Sequence, residues 1–418
     1  MKKRFVIWAG LLFAIYATLM GFYLLSWADF GVPDALKGTG ADPATFMSER
    51  ELELSAAYSR YQVFVSFVAM PYEWIIYIGV LVFGASALFR NTSEKVSRFT
   101  SIQVPIYVLF LSILTWVLTF PIDFAHRWFS VEYGISNQTF SGWMRDQMIS
   151  FWLSTLITAL LITALYLLIR KFPKRWWLFA WMGLIPFLIF MMYIQPVVID
   201  PLYNDFYELQ DKELETKILA LADEADIPAE RVYEVNMSEK TNAMNAYVNG
   251  IGDNLRIVLW DTTLNGLEDR EVLFIMAHEI GHYVMNHLYW NLFGAIASSL
   301  VLLYLGYRLI HVVLRKWGDA WGVRGIDDIA SLPALLLVVS LLSFVSTPAE
   351  LAISRNAEKA ADTYAIEMLE DKEAAVGSFQ KLAVNGLSDV NPPALVKFFQ
   401  YGHPTLMERI KMLENYEK

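Results

Sequence analysis

The sequence predicts a mainly α-helical, polytopic membrane protein, with about seven transmembrane helices and a small α/β zinc-metalloprotease unit. Three observations carry this reading. The 418-residue chain is 56% hydrophobic, has a mean hydropathy of +0.38, and is only 18% charged, where soluble domains carry about a quarter. Its apolar residues cluster into runs, each about long enough to cross a bilayer core as a helix. One polar segment between runs carries HEIGH at His278–His282.

Runs at 5–27, 61–89, 101–122, 148–169 and 176–199 predict five spans. MKKRF precedes the first as it would in a signal peptide. That run is long for an h-region, however, and no A-x-A-like cleavage site follows, so it is read as a retained span. The loop from Asp29 to Arg60 is acidic, and those at Arg90–Arg98 and Arg170–Arg175 are basic. A polar segment follows, from Pro201 to His287. Within it DKELETKILALADEAD has helical periodicity. VYEVNMS, NAYVNG and RIVLWDT are short β-rich runs punctuated by Asn and Gly. The HEIGH helix follows GLEDR, whose acids suit a helix N-terminus. Runs at 288–307 and 329–347 predict a helical hairpin, and the tail reads as helical, most clearly at SRNAEKAADTYAIEMLE. The expected organisation is therefore 1–200, five spans with their loops; 201–287, an α/β catalytic segment; 288–347, the hairpin; and 348–418, a helical segment returned to the same membrane face.

The chain has no cysteine, so disulfides and thiolate metal ligands are excluded. A net charge of −10 argues against a nucleic-acid partner. The expected partners are a lipid bilayer and a peptide or protein substrate.

On a helix, positions i and i+4 share a face, so His278 and His282 can both point nitrogens at one ion. Glu279 lies beside them as a candidate general base. With six histidines in the chain, a chance HExxH is expected on the order of once per hundred such chains. A catalytic zinc needs a third protein ligand and an open position for water. Glu358 and Asp362, spaced i,i+4 in SRNAEKAAD, are candidates: one can bind metal while the other orients a ligand histidine. The alternative is a solvated acidic face with Lys359. In YGHPTLMERI, His403 is a candidate for oxyanion stabilisation. Arg409 can play the same part or anchor an orienting carboxylate. His287 lies off the ligand face and reads as supporting or structural; His126 and His311 receive no role.

These residues are accompanied by further motifs in fixed order: VEYGISNQTFSGWMRDQ, DPLYNDFYELQDKEL, NAYVNG, RIVLWDTTL, SRNAEKAAD and HPTLMERI. With them the chain resembles the zinc-dependent CAAX prenyl endopeptidases, integral-membrane HExxH metallopeptidases, over essentially its whole length. The resemblance implies zinc ligands His278, His282 and Glu358, with Glu279 as base and Asp362 behind the ligands. It places His403 and Arg409 toward substrate and transition state. It puts Asn245 and Ala246 on an edge strand that pairs with extended substrate, as backbone recognition of a peptide would require. It also implies seven helices enclosing an intramembrane chamber.

The expected function is a membrane zinc metalloendopeptidase cutting peptide bonds at the membrane face, on substrates that include lipidated chains. Two alternatives stand beside it. One is a membrane quality-control zinc protease. The other is a transporter or scaffold, to which Glu73 in the second apolar run would point. The C-terminal ENYEK has no dilysine signal, and a bacterial plasma membrane is expected. The resemblance implies a cytosolic catalytic face, whereas the basic loops imply the opposite one.

Overall fold

A 20-residue helix spans about 30 Å, the thickness of a bilayer core, and most long helices here exceed that. In the computed structural model, which describes residues 2–250 and 255–417, α1 is Lys2–Phe22, α2 Glu49–Val82, α3 Ala85–Val96, α4 Thr100–Glu132, α5 Phe140–Lys171 and α6 Trp176–Ile194. The polar segment contains β1 (Phe206–Glu208), α7 (Lys212–Glu224), β2 (Val232–Val235), β3 (Ala246–Asn249), β4 (Arg256–Trp260), α8 (Asp261–Gly266) and α9 (Asp269–Val284). Then come α10 (His287–Trp321), α11 (Leu332–Leu369), α12 (Lys372–Gly386), α13 (Ala394–Gln400) and α14 (Leu406–Glu414). Among the described residues, seven helical segments are long and apolar enough to cross a membrane.

The spans are longer than the apolar runs suggested. Helix α2 starts at Glu49, inside the stretch read as a loop, on a capping box between Ser48 and Glu51. It stops before Gly84, whose φ of +77° a residue with a Cβ rarely adopts, so the run 61–89 is two helices rather than one. Helix α11 has 38 residues, about 57 Å of helix. It therefore leaves the membrane and continues, unbroken through Pro348, to carry Glu358 and Asp362.

The sheet has the order β1-β2-β4-β3. Strands β2 and β4 are parallel, and β3 pairs antiparallel with β4, Ala246 opposite Leu259. The three-residue β1 is absent from the sequence reading. Helix α9 is held between two apolar clusters. Val272, Met276 and Ile280 pack with Ile218, Ile257 and Leu259 beneath the sheet. Phe274 and Ala277 pack with Ile366, Phe379 and Ile410 of the C-terminal helices. Each buried Leu, Ile or Phe contributes about 1.5–3 kcal/mol, so α9 is fixed from both sides. At the other end of the bundle, buried Arg90 pairs with Asp328 and donates to the Gly322 carbonyl at 3.0 Å, tying α3 to the α10–α11 turn.

Candidate metal centre

The centre forms where α9 crosses α11. Gly281 permits the close approach: a Cβ there would lie 3.0 Å from Tyr364 Cδ1. The crossing brings Glu358 against both histidines of α9. His278 Nε2 and His282 Nε2 are 3.1 Å apart. Glu358 Oε2 lies 3.3 Å from His278 Nε2, and Glu358 Oε1 lies 3.3 Å from His282 Nε2. Donor atoms about 2.0–2.1 Å from a tetrahedral ion stand roughly 3.3 Å from one another, so the histidine pair suits one small cation, with the carboxylate, which meets each ring through a different oxygen, close enough to complete it. A second observation agrees. Glu358 Oε2 is buried and faces the Nε2 atoms of His278 and His403 at 3.3 and 3.4 Å without a well-formed hydrogen bond, and a buried carboxylate oxygen so placed is costly unless a cation meets it. The three side chains are the one such group of potential metal ligands among the described residues.

Behind the cluster lies Asp362, fully buried. Its Oδ1 accepts from His278 Nδ1 at 2.8 Å. Arg409 from α14 grips the same carboxylate with both arms of its fork, Nε to Oδ2 at 2.8 Å and Nη2 to Oδ1 at 2.5 Å. The guanidinium lies over the Phe379 ring, 4.1 Å from its centroid. Of the two parts open to Arg409 from sequence, this geometry favours the anchor of an orienting carboxylate. Burial opposes charge on His278, but the Asp362 and Glu358 carboxylates beside it outweigh burial and push its pKa up to about 9. A proton and a metal ion therefore compete for this corner.

Glu279 is half-buried, and its carboxylate makes no hydrogen bond to any described residue. Burial raises its pKa. It faces a cavity of about 590 Å³ shared with His278, His403, Arg409, Asn245 and Ala246. His403 is exposed, its Nε2 3.4 Å from Glu358 Oε2. Asn245 and Ala246 stand at the start of β3, the open edge of the sheet. His287 supports His282, the two Nδ1 atoms 2.8 Å apart. His311 donates from Nδ1 to the Tyr307 carbonyl at 2.7 Å, away from the centre. Glu73 accepts from Tyr77 at 2.5 Å in a separate cavity of about 580 Å³ among α2, α4 and α5. Among the wall residues that sequence reasoning missed are Phe379 and Ile135. Nothing local to Phe379 announces its place under Arg409, 30 residues on; Ile135 sits in a quoted motif that received no role.

Residues 208–417 match the model of peptidase family M48. Residues 31–205 match that of the CAAX prenyl protease N-terminal region with five membrane helices. The chain is 48% identical over 415 residues to a protein of Bacillus subtilis named uncharacterized metalloprotease YhfN, covering 99% of this chain and 97% of the other. It is 28% identical over 385 residues to a CAAX prenyl protease 1 homolog of Arabidopsis thaliana, 89% of each chain. It is 27% identical over 371 residues to the CAAX prenyl protease 1 of Saccharomyces cerevisiae, covering 84% of this chain and 80% of that one. The fold superposes on the crystal structure of S. mikatae Ste24p with a TM-score of 0.79 at 24% identity, over 99% of this chain and 98% of that chain. With its clustered His278, His282 and Glu358 and its seven long apolar helices, the chain belongs to peptidase family M48, as a multi-pass membrane metalloprotease of the CAAX prenyl protease group.

Proposed function

We propose a zinc endopeptidase that hydrolyses extended peptide segments at the membrane face. The observation that carries it is the meeting of His278, His282 and Glu358, with ligand atoms all within 4.8 Å of one another, while the Glu279 carboxylate faces the adjoining cavity. The donor set, two imidazoles and a carboxylate with no thiolate, suits zinc with one position left open. Bound there, zinc supplies Lewis-acid polarisation of the scissile carbonyl and makes water acidic enough to lose a proton near neutral pH. Glu279 takes that proton and returns it to the leaving amine. Asp362 holds the ring of His278 and Arg409 holds Asp362, so Arg409 acts through the carboxylate. His403, exposed in the cavity, is the side chain free to donate to the developing oxyanion. At the open edge Ala246 offers backbone to an extended substrate, while Asn245 beside it has its N–H held by Thr263 Oγ1 at 2.8 Å and its carbonyl by Trp260 N–H at 3.1 Å and lines the cavity instead. In this reading, residues 201–287 and 348–418 form the catalytic unit, on a scaffold of 1–200 and 288–347.

Substrates are peptides or proteins that reach the site from the bilayer. Lipidated chains are favoured, because each buried methylene of a lipid contributes about 0.8 kcal/mol to membrane binding. The relatives named as CAAX prenyl proteases support this class, and the Bacillus relative supports a bacterial plasma membrane. The test compares purified protein with Glu279→Gln on matched farnesylated and plain peptides, with zinc measured in both proteins. Chelator-sensitive hydrolysis by the wild type, faster on the lipidated peptide, with zinc retained but turnover lost in the variant, is expected. Rapid digestion of a folded soluble protein, with equal rates on both peptides, would favour an open quality-control protease.

A further inference from the structure

Two carboxylates line the catalytic cavity, Glu279 and Asp389, and the chemistry above uses only the first. The guanidinium that lines it, Arg409, is already committed to Asp362. Asp389 lies in the turn between α12 and α13, and that turn is fastened to α2. Ser59 Oγ donates to the Leu387 carbonyl and accepts from the Asp389 N–H, both at 2.9 Å. Leu387 has φ +45°, which a residue with a Cβ rarely adopts. The turn is therefore held in one shape, and it presents Asp389 to the cavity.

The carboxylate is only half used. Its Oδ1 accepts from the Asn391 N–H at 2.9 Å, and no described residue donates to Oδ2. Arg60, one position beyond Ser59, lies with its guanidinium over the Phe30 ring, 4.7 Å from the centroid, and does not line the cavity. It acts on Asp389 through charge alone, with no ion pair between them. Burial pushes the Asp389 pKa up, against the Asn391 N–H and Arg60. A purely structural aspartate here would serve the turn that leads into Pro392 and Pro393. That work needs one oxygen, and asparagine would do it as well. The second oxygen, partly desolvated and without a donor, is costly unless a partner arrives from the cavity. Gln62 and Tyr401 line the same cavity with further polar groups.

We propose that Asp389 is a specificity-determining residue, whose second oxygen takes the cationic side chain of a substrate lysine or arginine near the scissile bond. The inference rests on the protease reading above. The cavity that Asp389 shares with Glu279 and His403 has a volume of about 590 Å³. At about 3.4 Å per residue, an extended chain passes only a few residues through such a space, so the selected position lies within about three residues of the cut. A cation is favoured over a neutral donor because hydrogen bonds between ionised partners are about twice as strong. The amide oxygen of Gln62 and the hydroxyl of Tyr401 suit the remaining N–H donors of an ammonium or guanidinium. Backbone pairing does not read side chains, so one acidic contact is enough to impose a preference.

The experiment uses the full-length zinc-loaded protein in detergent and a peptide that the wild type cuts. Each position near the cut is replaced in turn by lysine and by norleucine, which has a similar reach without the charge. The lysine-to-norleucine ratio of kcat/KM is read within one protein preparation, so zinc content and folded fraction cancel. Assays run at about pH 8, where Asp389 is ionised although burial raises its pKa. The wild type should favour lysine at one position by about tenfold, as a charge-assisted bond implies. Asp389→Asn keeps the turn and should bring that ratio close to one. Arg60→Met removes the opposing charge and should raise the ratio. A merely structural Asp389 would slow both peptides alike and leave the ratio where it was. If Asp389→Asn does not fold, the wild-type preference and its rise in Arg60→Met decide. No lysine preference at any position in the wild type, or a preference that Asp389→Asn leaves unchanged, overturns the subsite and leaves the protease reading standing. No hydrolysis of any peptide by zinc-loaded wild type overturns both.

Discussion

Replacing Asp362 with alanine separates the two jobs assigned to the cluster. Asp362 is fully buried, holds His278 Nδ1 at 2.8 Å and is forked by Arg409, itself only 8% exposed. Removing the carboxylate leaves a buried guanidinium without its counter-charge, which costs about 3–5 kcal/mol of stability. It also frees the His278 ring, which should weaken zinc about 10–100-fold. Glu358→Ala should act chiefly on the metal. It removes one of three ligands and so strips the metal. The metal-free protein loses the carboxylate that stands 3.3 Å from both ring Nε2 atoms, but no buried guanidinium is stranded, so the loss of stability should be smaller than in Asp362→Ala. A third variant isolates the charge term: Asp362→Ala with Arg409→Met should regain most of the lost stability but not the zinc affinity. The assays are chelator competition for zinc and denaturation of metal-free protein in detergent. If Asp362→Ala abolishes metal while Glu358→Ala keeps it, the two roles are reversed. If the double variant is no more stable than Asp362→Ala, the buried-charge reasoning is wrong.

Other outcomes follow from the same geometry. Glu279→Gln should bind zinc normally and lose about 10²–10⁴ in kcat, measured on any peptide the wild type cuts; near-normal turnover would sink the base assignment. Burial raises the Glu279 pKa, and the base acts only when ionised. The acid limb of kcat/KM should therefore lie above the ordinary glutamate range, and a limb near 4 would contradict a desolvated base. Because His278 is pushed up to about 9, metal must displace its proton: below that pH, binding should release protons and tighten as pH rises, which titration calorimetry in buffers of different ionisation enthalpy detects. Ala246→Pro removes a backbone donor at the open edge and should lower kcat/KM without releasing zinc; unchanged hydrolysis would argue against strand pairing.

What was legible in the sequence is what a local rule enforces. Bilayer thickness imposes a minimum apolar length, so seven runs became seven spans. The i,i+4 rule put His278 with His282, and Glu358 with Asp362, on common faces. Helix ends were less legible, because α2 and α11 continue as polar helices beyond the membrane and no apolar run marks that continuation. The three residues of β1 are too few to show a period. Long-range pairings were invisible for a different reason. The grip of Arg409 on Asp362 spans 47 positions and the bridge from Ser136 to Thr241 more than 100. No local periodicity encodes either one.

The structure also sharpens the question of orientation. Phe5 packs on Phe83 with ring centroids 6.2 Å apart, Arg324 pairs with Glu94 at 2.8 Å, and Arg170 donates to the Asp327 carbonyl at 3.3 Å. These contacts gather the N-terminal end of α1, the α3–α4 region, the α5–α6 turn and the α10–α11 turn at one end of the bundle. That end carries Arg90, Lys95, Arg98, Arg170, Lys171, Lys174, Arg175 and Arg324. The short connections at the catalytic end, 28–48 and 133–139, with the polar helix ends beside them carry fewer: Lys37, Arg50, Arg60, Arg127 and Arg145. The two long polar segments have little influence, since orientation follows Lys and Arg in short loops. The positive-inside rule thus predicts a cytoplasmic basic end and a catalytic centre on the outer face, opposite to the side the family resemblance implies. A chain without cysteine permits a direct test. Lys37→Cys should react with a membrane-impermeant maleimide on intact cells, and Lys174→Cys only after permeabilisation; the reverse labelling refutes the charge argument. The answer also selects the substrate pool. An outward-facing centre meets lipid-anchored or unfolded segments on the outer leaflet. An inward-facing one meets chains lipidated in the cytosol.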